Sequence, residues 1–113
     1  MKKINSWEEF KSIDTTTPFY FLKNSTTCPI SQSAYEEAEK FAEDHPDMPF
    51  SYLNVQESRS LSNKIADEFD VKHESPQIFL FSNHTVLYND SHWNITYSAL
   101  VDQVKKHVPK IRK

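Results

Sequence analysis

Four segments of the chain carry apolar residues at spacings of three and four, which is the pattern of an amphipathic helix. The longest begins at Pro29, a residue that suits the first turn of a helix, and ends before Pro46. Ser6 opens a Ser-x-x-Glu capping box, and Ser58 and Thr96 are further candidate helix caps. The predicted helices span residues 6–13, 29–45, 58–69 and 96–108.

Four shorter segments are dominated by aromatic and aliphatic residues and predict strands. They span residues 18–23, 50–55, 77–82 and 85–88. The first is a continuous apolar run, which is typical of a strand buried in the centre of a sheet. Only Asn83 and His84 separate the last two, so we expect them to form a hairpin.

The order of these elements predicts the fold class. Strand–helix–strand crossovers join parallel strands, whereas the final hairpin adds antiparallel ones. We therefore expect an α/β fold, built as a three-layer α/β/α sandwich with a mixed four-stranded sheet. The length of 113 residues indicates one domain, residues 1–113, with a basic tail at about 108–113 that we interpret as a solvated helix end.

The chain contains no glycine, which limits both its backbone and its chemistry. Glycine-rich phosphate loops and dinucleotide turns are excluded. Any position with a positive φ must use a residue for which that conformation is costlier, and we expect such positions at Asn83 and around Asn89–Asp90.

Charge and composition narrow the classes of partner that the protein is expected to have. The net charge of −3 argues against a nucleic-acid partner. We find no apolar run of membrane-spanning length and no apolar segment typical of a secretory signal. We expect a cytoplasmic protein that acts as a monomer, without nucleic-acid or membrane partners. The five histidines form no ligand pattern, so we predict no metal site.

Cys28 is the candidate for chemistry. As the only cysteine it excludes an intrachain disulfide and a zinc ribbon, and it stands between a predicted strand and a predicted helix. The N–H groups and the dipole at a helix start stabilise a thiolate, which is the nucleophilic form. A lone cysteine is more often an inert buried side chain, but Thr27, Pro29 at the first helical position and Ser31 one turn further favour a reactive thiol.

Three motifs in order resemble one branch of the thioredoxin superfamily, the monothiol bacilliredoxin family. They are Thr27-Cys28-Pro29-Ile30-Ser31, His73-Glu74-Ser75-Pro76-Gln77 and Ser91-His92-Trp93-Asn94-Ile95-Thr96, and the resemblance covers about residues 4–108.

The resemblance implies a thioredoxin fold in which Cys28 is the attacking thiol. It also implies a cis peptide bond before Pro76, with Ser75 preceding it and both residues facing Cys28. In such folds the backbone beside this proline pairs with the substrate as an added strand.

The resemblance further implies a monothiol reaction, because Ser31 stands where a resolving cysteine would be and cannot form a disulfide. Cys28 would take bacillithiol from a bacillithiolated protein, and a second low-molecular-weight thiol would regenerate it. No permanently bound cofactor is implied; bacillithiol is a thiol co-substrate, and the partners are bacillithiolated proteins.

Two other functions remain open at this point. Monothiol glutaredoxins resemble this arrangement and carry a [2Fe–2S] cluster between two subunits, but they usually have glycine where Pro29 stands. A non-catalytic adaptor that keeps the thioredoxin-like scaffold for binding is the other alternative.

Four further residues are of interest. His73 and Glu74 precede Pro76, and we interpret them as loop-positioning residues, with a direct part in the thiol site as the alternative. Lys23 could assist an anionic thiol, but a lysine at a strand end is usually solvated. We expect Trp93 to pack beneath the last helix.

Overall fold

The computed structural model describes residues 1–14 and 16–108. The expected basic tail lies outside them beyond Val108. The elements in chain order are β1 (Lys2–Lys3), α1 (Trp7–Lys11), β2 (Phe19–Asn24), α2 (Pro29–Asp44), β3 (Phe50–Asn54), α3 (Arg59–Phe69), β4 (Gln77–Ser82), β5 (Thr85–Ser91), a 3₁₀ turn (His92–Asn94) and α4 (Tyr97–His107).

The strands form one mixed sheet in the order β1-β3-β2-β4-β5. β1, β3 and β2 are parallel, and β4 and β5 add antiparallel strands. The expected α/β sandwich is therefore confirmed, but its sheet has five strands and not four. The sequence pattern missed β1 because this edge strand is only two exposed lysines long, too short to show alternation.

Helices cover both faces of the sheet. On one face, Tyr20 and Leu22 of β2 pack with buried residues of α2 and α4. On the other, Phe19 and Phe21 pack with buried residues of α1 and α3. Because both faces are covered, every residue of β2 is buried, which explains its continuous apolar run.

The predicted caps differ in how they work. Ser6 Oγ accepts from the N–H of Glu9 at 3.2 Å, and Thr96 Oγ1 accepts from the N–H of Ala99 at 3.1 Å, as expected. Ser58 lies at the N-cap of α3, but its hydroxyl donates to Asn5 Oδ1 at 3.0 Å and does not cap the helix.

Four non-glycine residues have a positive φ: Asp70, Asn83, His84 and His92. Asn83 confirms the expected hairpin turn. The expectation for Asn89–Asp90 is wrong, because β5 continues in extended conformation through Ser91. His92 takes up the left-handed position instead, with φ 57°, at a cost of about 1–2 kcal/mol for a residue with a Cβ.

The register brings the ends of neighbouring strands to one edge of the sheet. Lys23 at the end of β2 pairs with Leu53 of β3 on one side and with Gln77 at the start of β4 on the other. Gln77 in turn pairs with Ser91 at the end of β5. The segments that follow β2, β3 and β5 and the segment that precedes β4 therefore leave the sheet at this same edge.

Lys23 is buried, so the expectation of a solvated side chain is wrong. Its side chain is 0% exposed because α3 covers this face of the sheet, and Nζ donates to the Ser62 carbonyl at 3.0 Å. Nζ also lies 3.3 Å from His73 Nδ1 and 5.6 Å from the centre of the Phe79 ring. Burial lowers the pKa of Lys23 to about 8.

Among the described residues, no helix is long and apolar enough to cross a membrane.

We predict that Lys23 makes the stability of the protein rise with pH between about 8 and 10.5, the folded and ordinary pKa values. In this interval the unfolded chain keeps the Lys23 proton that the folded protein has lost, so unfolding takes up a proton. The unfolding free energy should gain up to about 3 kcal/mol relative to a Lys23→Met variant. Urea unfolding of both proteins from pH 7 to 11 measures this difference; a constant difference would contradict the prediction.

Candidate functional site

Cys28 is the N-cap of α2, as its place in the sequence predicted. Its backbone is extended, with φ −103° and ψ 124°, and Pro29 occupies the first turn behind it. The thiol is partly exposed. The backbone N–H of Ser31 contributes most to lowering the pKa of Cys28; partial burial opposes it, and the Ile30 N–H and the Ser31 side chain add smaller contributions. The geometry therefore favours a thiolate that reagents can reach.

The hydroxyl of Ser31 is available to this thiolate. Ser31 is 0% exposed, and its Oγ has no hydrogen-bond partner of ordinary geometry among the described residues. A buried hydroxyl without a partner is unfavourable. Since its side chain also contributes to lowering the pKa of Cys28, this hydroxyl is a candidate donor to the thiolate.

The polar loop before Cys28 is held by Gln56, which the sequence analysis missed. Gln56 Nε2 donates to Ser25 Oγ at 2.8 Å and to Thr27 Oγ1 at 3.2 Å. Gln56 Oε1 accepts from the N–H of Thr26 at 3.1 Å. One side chain thus contacts three consecutive residues of the loop. Nothing local in the sequence could reveal it, because its partners lie about thirty positions away.

The loop before β4 contains Ser75 and Pro76, the second group of residues expected at the site. The Ser75–Pro76 peptide bond is cis. Because Lys23 pairs with Gln77, this peptide lies at the same edge of the sheet as the Cys28 loop. Ser75 Oγ is buried without a partner among the described residues. That Ser75 and Pro76 face Cys28 remains the prediction of the sequence resemblance.

The contacts of His73 and Glu74 favour the loop-positioning interpretation. His73 Nδ1 lies 3.2 Å from Ser62 Oγ in addition to its contact with Lys23. Burial and the charge of Lys23 lower the pKa of His73. Glu74 Oε1 lies 3.8 Å from His92 Nε2, and the Glu74 N–H donates to Gln77 Oε1 at 3.3 Å. Both residues therefore join this loop to its neighbours.

Trp93 does not pack beneath α4, so that expectation is wrong. Its side chain is 67% exposed. The left-handed His92 redirects the chain after β5, and Ile95, which is 3% exposed, packs into the core with Leu100 and Val104 of α4. The aliphatic residue takes the place that we assigned to the indole.

A cavity of about 590 Å³ adjoins Cys28 on the side of β3. Its wall combines residues 24–29, the exposed side of α2 around Gln32 and Glu36, and Tyr52 and Asn54 of β3. Hydroxyl, amide and carboxylate groups share this wall with Pro29 and with the rings of Tyr35 and Tyr52. A cavity of this size and mixed character can hold a small molecule attached to the Cys28 sulfur.

Within residues 1–14 and 16–108, no three His, Cys, Asp or Glu side chains come together as a metal site.

The fold and the site define the class: this is a thioredoxin-fold protein of the thiol–disulfide oxidoreductase type. A solved structure provisionally described as an oxidoreductase with a thioredoxin fold is 41% identical, with a TM-score of 0.83 over 90% of this chain and 91% of that one. The model of the family described as monothiol bacilliredoxin BrxC matches residues 1–100. The chain belongs to the monothiol bacilliredoxin family.

More distant structures agree on the fold alone. Thioredoxin f2 of Chlamydomonas reinhardtii is 15% identical, with a TM-score of 0.76 over 96% of this chain and 97% of its own. The thioredoxin of Trypanosoma brucei brucei is 14% identical, with a TM-score of 0.79 over 95% of this chain and 89% of its own.

We predict that Cys28 reacts with iodoacetamide at a lower pH than a cysteine in an unstructured peptide, because the N–H groups at the start of α2 lower its pKa. In a Ser31→Ala variant the midpoint pH should rise and still stay below the peptide value, since the Ser31 backbone N–H is retained. Alkylation rates from pH 4 to 10 test this. A wild-type midpoint equal to that of the peptide would contradict the prediction.

We predict that Gln56→Ala loosens the loop before Cys28 without unfolding the protein. The Thr26 N–H loses its acceptor, so its hydrogen exchange should accelerate about fivefold, the equivalent of one hydrogen bond of about 1 kcal/mol. Glu57→Ala is the matched control, because the neighbouring Glu57 contacts Lys3 at the surface instead. Equal exchange at Thr26 in the two variants would refute the role of Gln56.

Proposed function

We propose that this protein removes bacillithiol from protein mixed disulfides, with Cys28 as the attacking thiolate. The observation that carries the proposal is the position of Cys28: a partly exposed thiol at the N-terminus of α2, with its pKa lowered and with Ser31 where a second cysteine would resolve the intermediate. Membership of the monothiol bacilliredoxin family supports the choice of bacillithiol.

In the first step the Cys28 thiolate attacks the bacillithiol sulfur of the substrate. The new sulfur–sulfur bond forms on Cys28, the old one breaks, and its electron pair leaves on the protein sulfur, which takes a proton from water. The released protein has regained its thiol, and Cys28 carries bacillithiol.

In the second step a low-molecular-weight thiol must regenerate the enzyme, because Ser31 cannot attack. The thiolate of this second molecule bonds to the bacillithiol sulfur and the Cys28 thiolate leaves, so one disulfide is exchanged for another without net oxidation of Cys28. Stabilisation by the Ser31 and Ile30 N–H groups makes Cys28 a good leaving group in this step, just as it populates the nucleophile in the first.

The backbone before Pro76 is the proposed contact for the substrate chain. Among the described residues, the N–H and carbonyl of Ser75 make no backbone hydrogen bond. An extended substrate segment could pair with them as an added strand. We further propose that the protein works as a cytoplasmic monomer on bacillithiolated proteins and binds no permanent cofactor.

The test is incubation with a bacillithiolated protein, with the same protein glutathionylated alongside. Intact-mass spectrometry should show loss of bacillithiol from the substrate and one bacillithiol on Cys28, and release from the glutathionylated protein should be slower. Cys28→Ser is the matched control and should release nothing. Equal release from both substrates would contradict the preference for bacillithiol, and absence of any adduct on Cys28 would contradict the mechanism.

A further inference from the structure

Trp93 is exposed, although almost all other large apolar side chains in the described part of the chain are buried or half-buried. Among the described residues, only Met1, at 36%, and Trp93, at 67%, are exposed members of this class. The other tryptophan, Trp7, stacks on Phe10 with ring centres 5.3 Å apart. A single exposed apolar side chain is common on protein surfaces, so its surroundings decide whether it has a function.

The backbone on both sides of Trp93 holds the indole outward. The His92 N–H donates to the Pro76 carbonyl at 3.1 Å, and His92 adopts its left-handed conformation there. Asn94 Nδ2 donates to Asp90 Oδ1 at 2.9 Å, which closes the turn. Buried Ile95 anchors the other end. An unfavourable backbone conformation that persists beside a candidate site points to a function for the segment.

The sheet order places Trp93 at the same edge of the sheet as Cys28 and Pro76. Along that edge the cavity next to β3 comes first, then Cys28 after β2, then Pro76 before β4, and then Trp93 after β5. Adjacent strands lie about 4.8 Å apart, so the ends of β2 and β5 are roughly 10 Å apart. The order of the strand ends therefore puts the cavity on one side of the Cys28 loop and the turn that carries Trp93 on the other.

We propose that Trp93 binds the polypeptide of the mixed-disulfide substrate, next to its modified cysteine. This inference rests on the proposed function. The substrate has two halves, a small thiol and a protein chain, and the cavity beside Cys28 is large enough for the first. A substrate strand added at Ser75 runs beside the turn that carries Trp93, so one of its apolar side chains can cover the indole. Tryptophan is among the residues that contribute most at protein–protein contacts.

The kinetic test compares a bacillithiolated protein with the mixed disulfide of bacillithiol and free cysteine, which has no polypeptide. In Trp93→Ala the ratio of kcat/KM for the protein to that for the small disulfide should fall about tenfold, through KM for the protein. Trp93→Phe should restore part of the loss, because a ring remains. Trp7→Phe is the matched control and should leave the ratio unchanged. An unchanged ratio in Trp93→Ala, including an equal loss on both substrates, overturns the proposal.

A binding test separates this inference from the proposed function. In a Cys28→Ser, Trp7→Phe protein, Trp93 is the only indole and no reaction occurs. Its emission should shift to the blue when a tryptophan-free bacillithiolated protein is added, and not when bacillithiol disulfide is added. A shift with the small disulfide alone would assign Trp93 to the small thiol and overturn the inference. If the wild-type protein releases glutathione but not bacillithiol, the same measurement with the glutathionylated protein decides the role of Trp93.

Discussion

The site depends on one constraint: β2 is buried on both faces and has a neighbouring strand on each side. β3 and β4 take its backbone hydrogen bonds, and helices cover its two faces, so the chain can leave the sheet only at its end. Four residues separate Asn24 from Pro29, the first residue of α2. In that short distance a central strand turns into a helix, and the residue at the junction is Cys28. The same packing that stabilises the core therefore determines where the thiol stands.

The pattern of the sequence revealed the elements that bury apolar area, since burial sets their periodicity. The continuous run of β2 and the apolar face of α2 were sufficient to place Cys28 at a helix start. Elements that are exposed, and residues whose place depends on tertiary contacts, were not predicted. The two-residue strand β1 buries nothing, and Lys23 is buried only because α3 packs over it. Gln56 reaches the Cys28 loop only after β3 has paired with β2.

The absence of glycine has a structural consequence at the site. Asn83 takes a left-handed conformation at the hairpin, where asparagine is well tolerated. His92 does so at the end of β5, where the pattern of the sequence suggested the preceding Asn89–Asp90. The difference matters because the His92 N–H bonds to the carbonyl of Pro76. The turn that contains the left-handed His92 is thus hydrogen-bonded to the loop that contains the cis peptide.

The lone cysteine and its surroundings fit the proposed monothiol reaction. In the proposed monothiol reaction, Cys28 would hold a mixed disulfide until a second small thiol arrives, which requires a sulfur that is stabilised as a thiolate and open to water. The N–H groups of α2 provide the stabilisation, and partial exposure provides the access. Ser31 fits this arrangement because its buried hydroxyl, which has no hydrogen-bond partner in the described part of the chain, can donate to the thiolate but cannot form a disulfide. A cysteine at the same place would instead displace the small thiol from Cys28 and leave an internal disulfide, which would itself need a reductant.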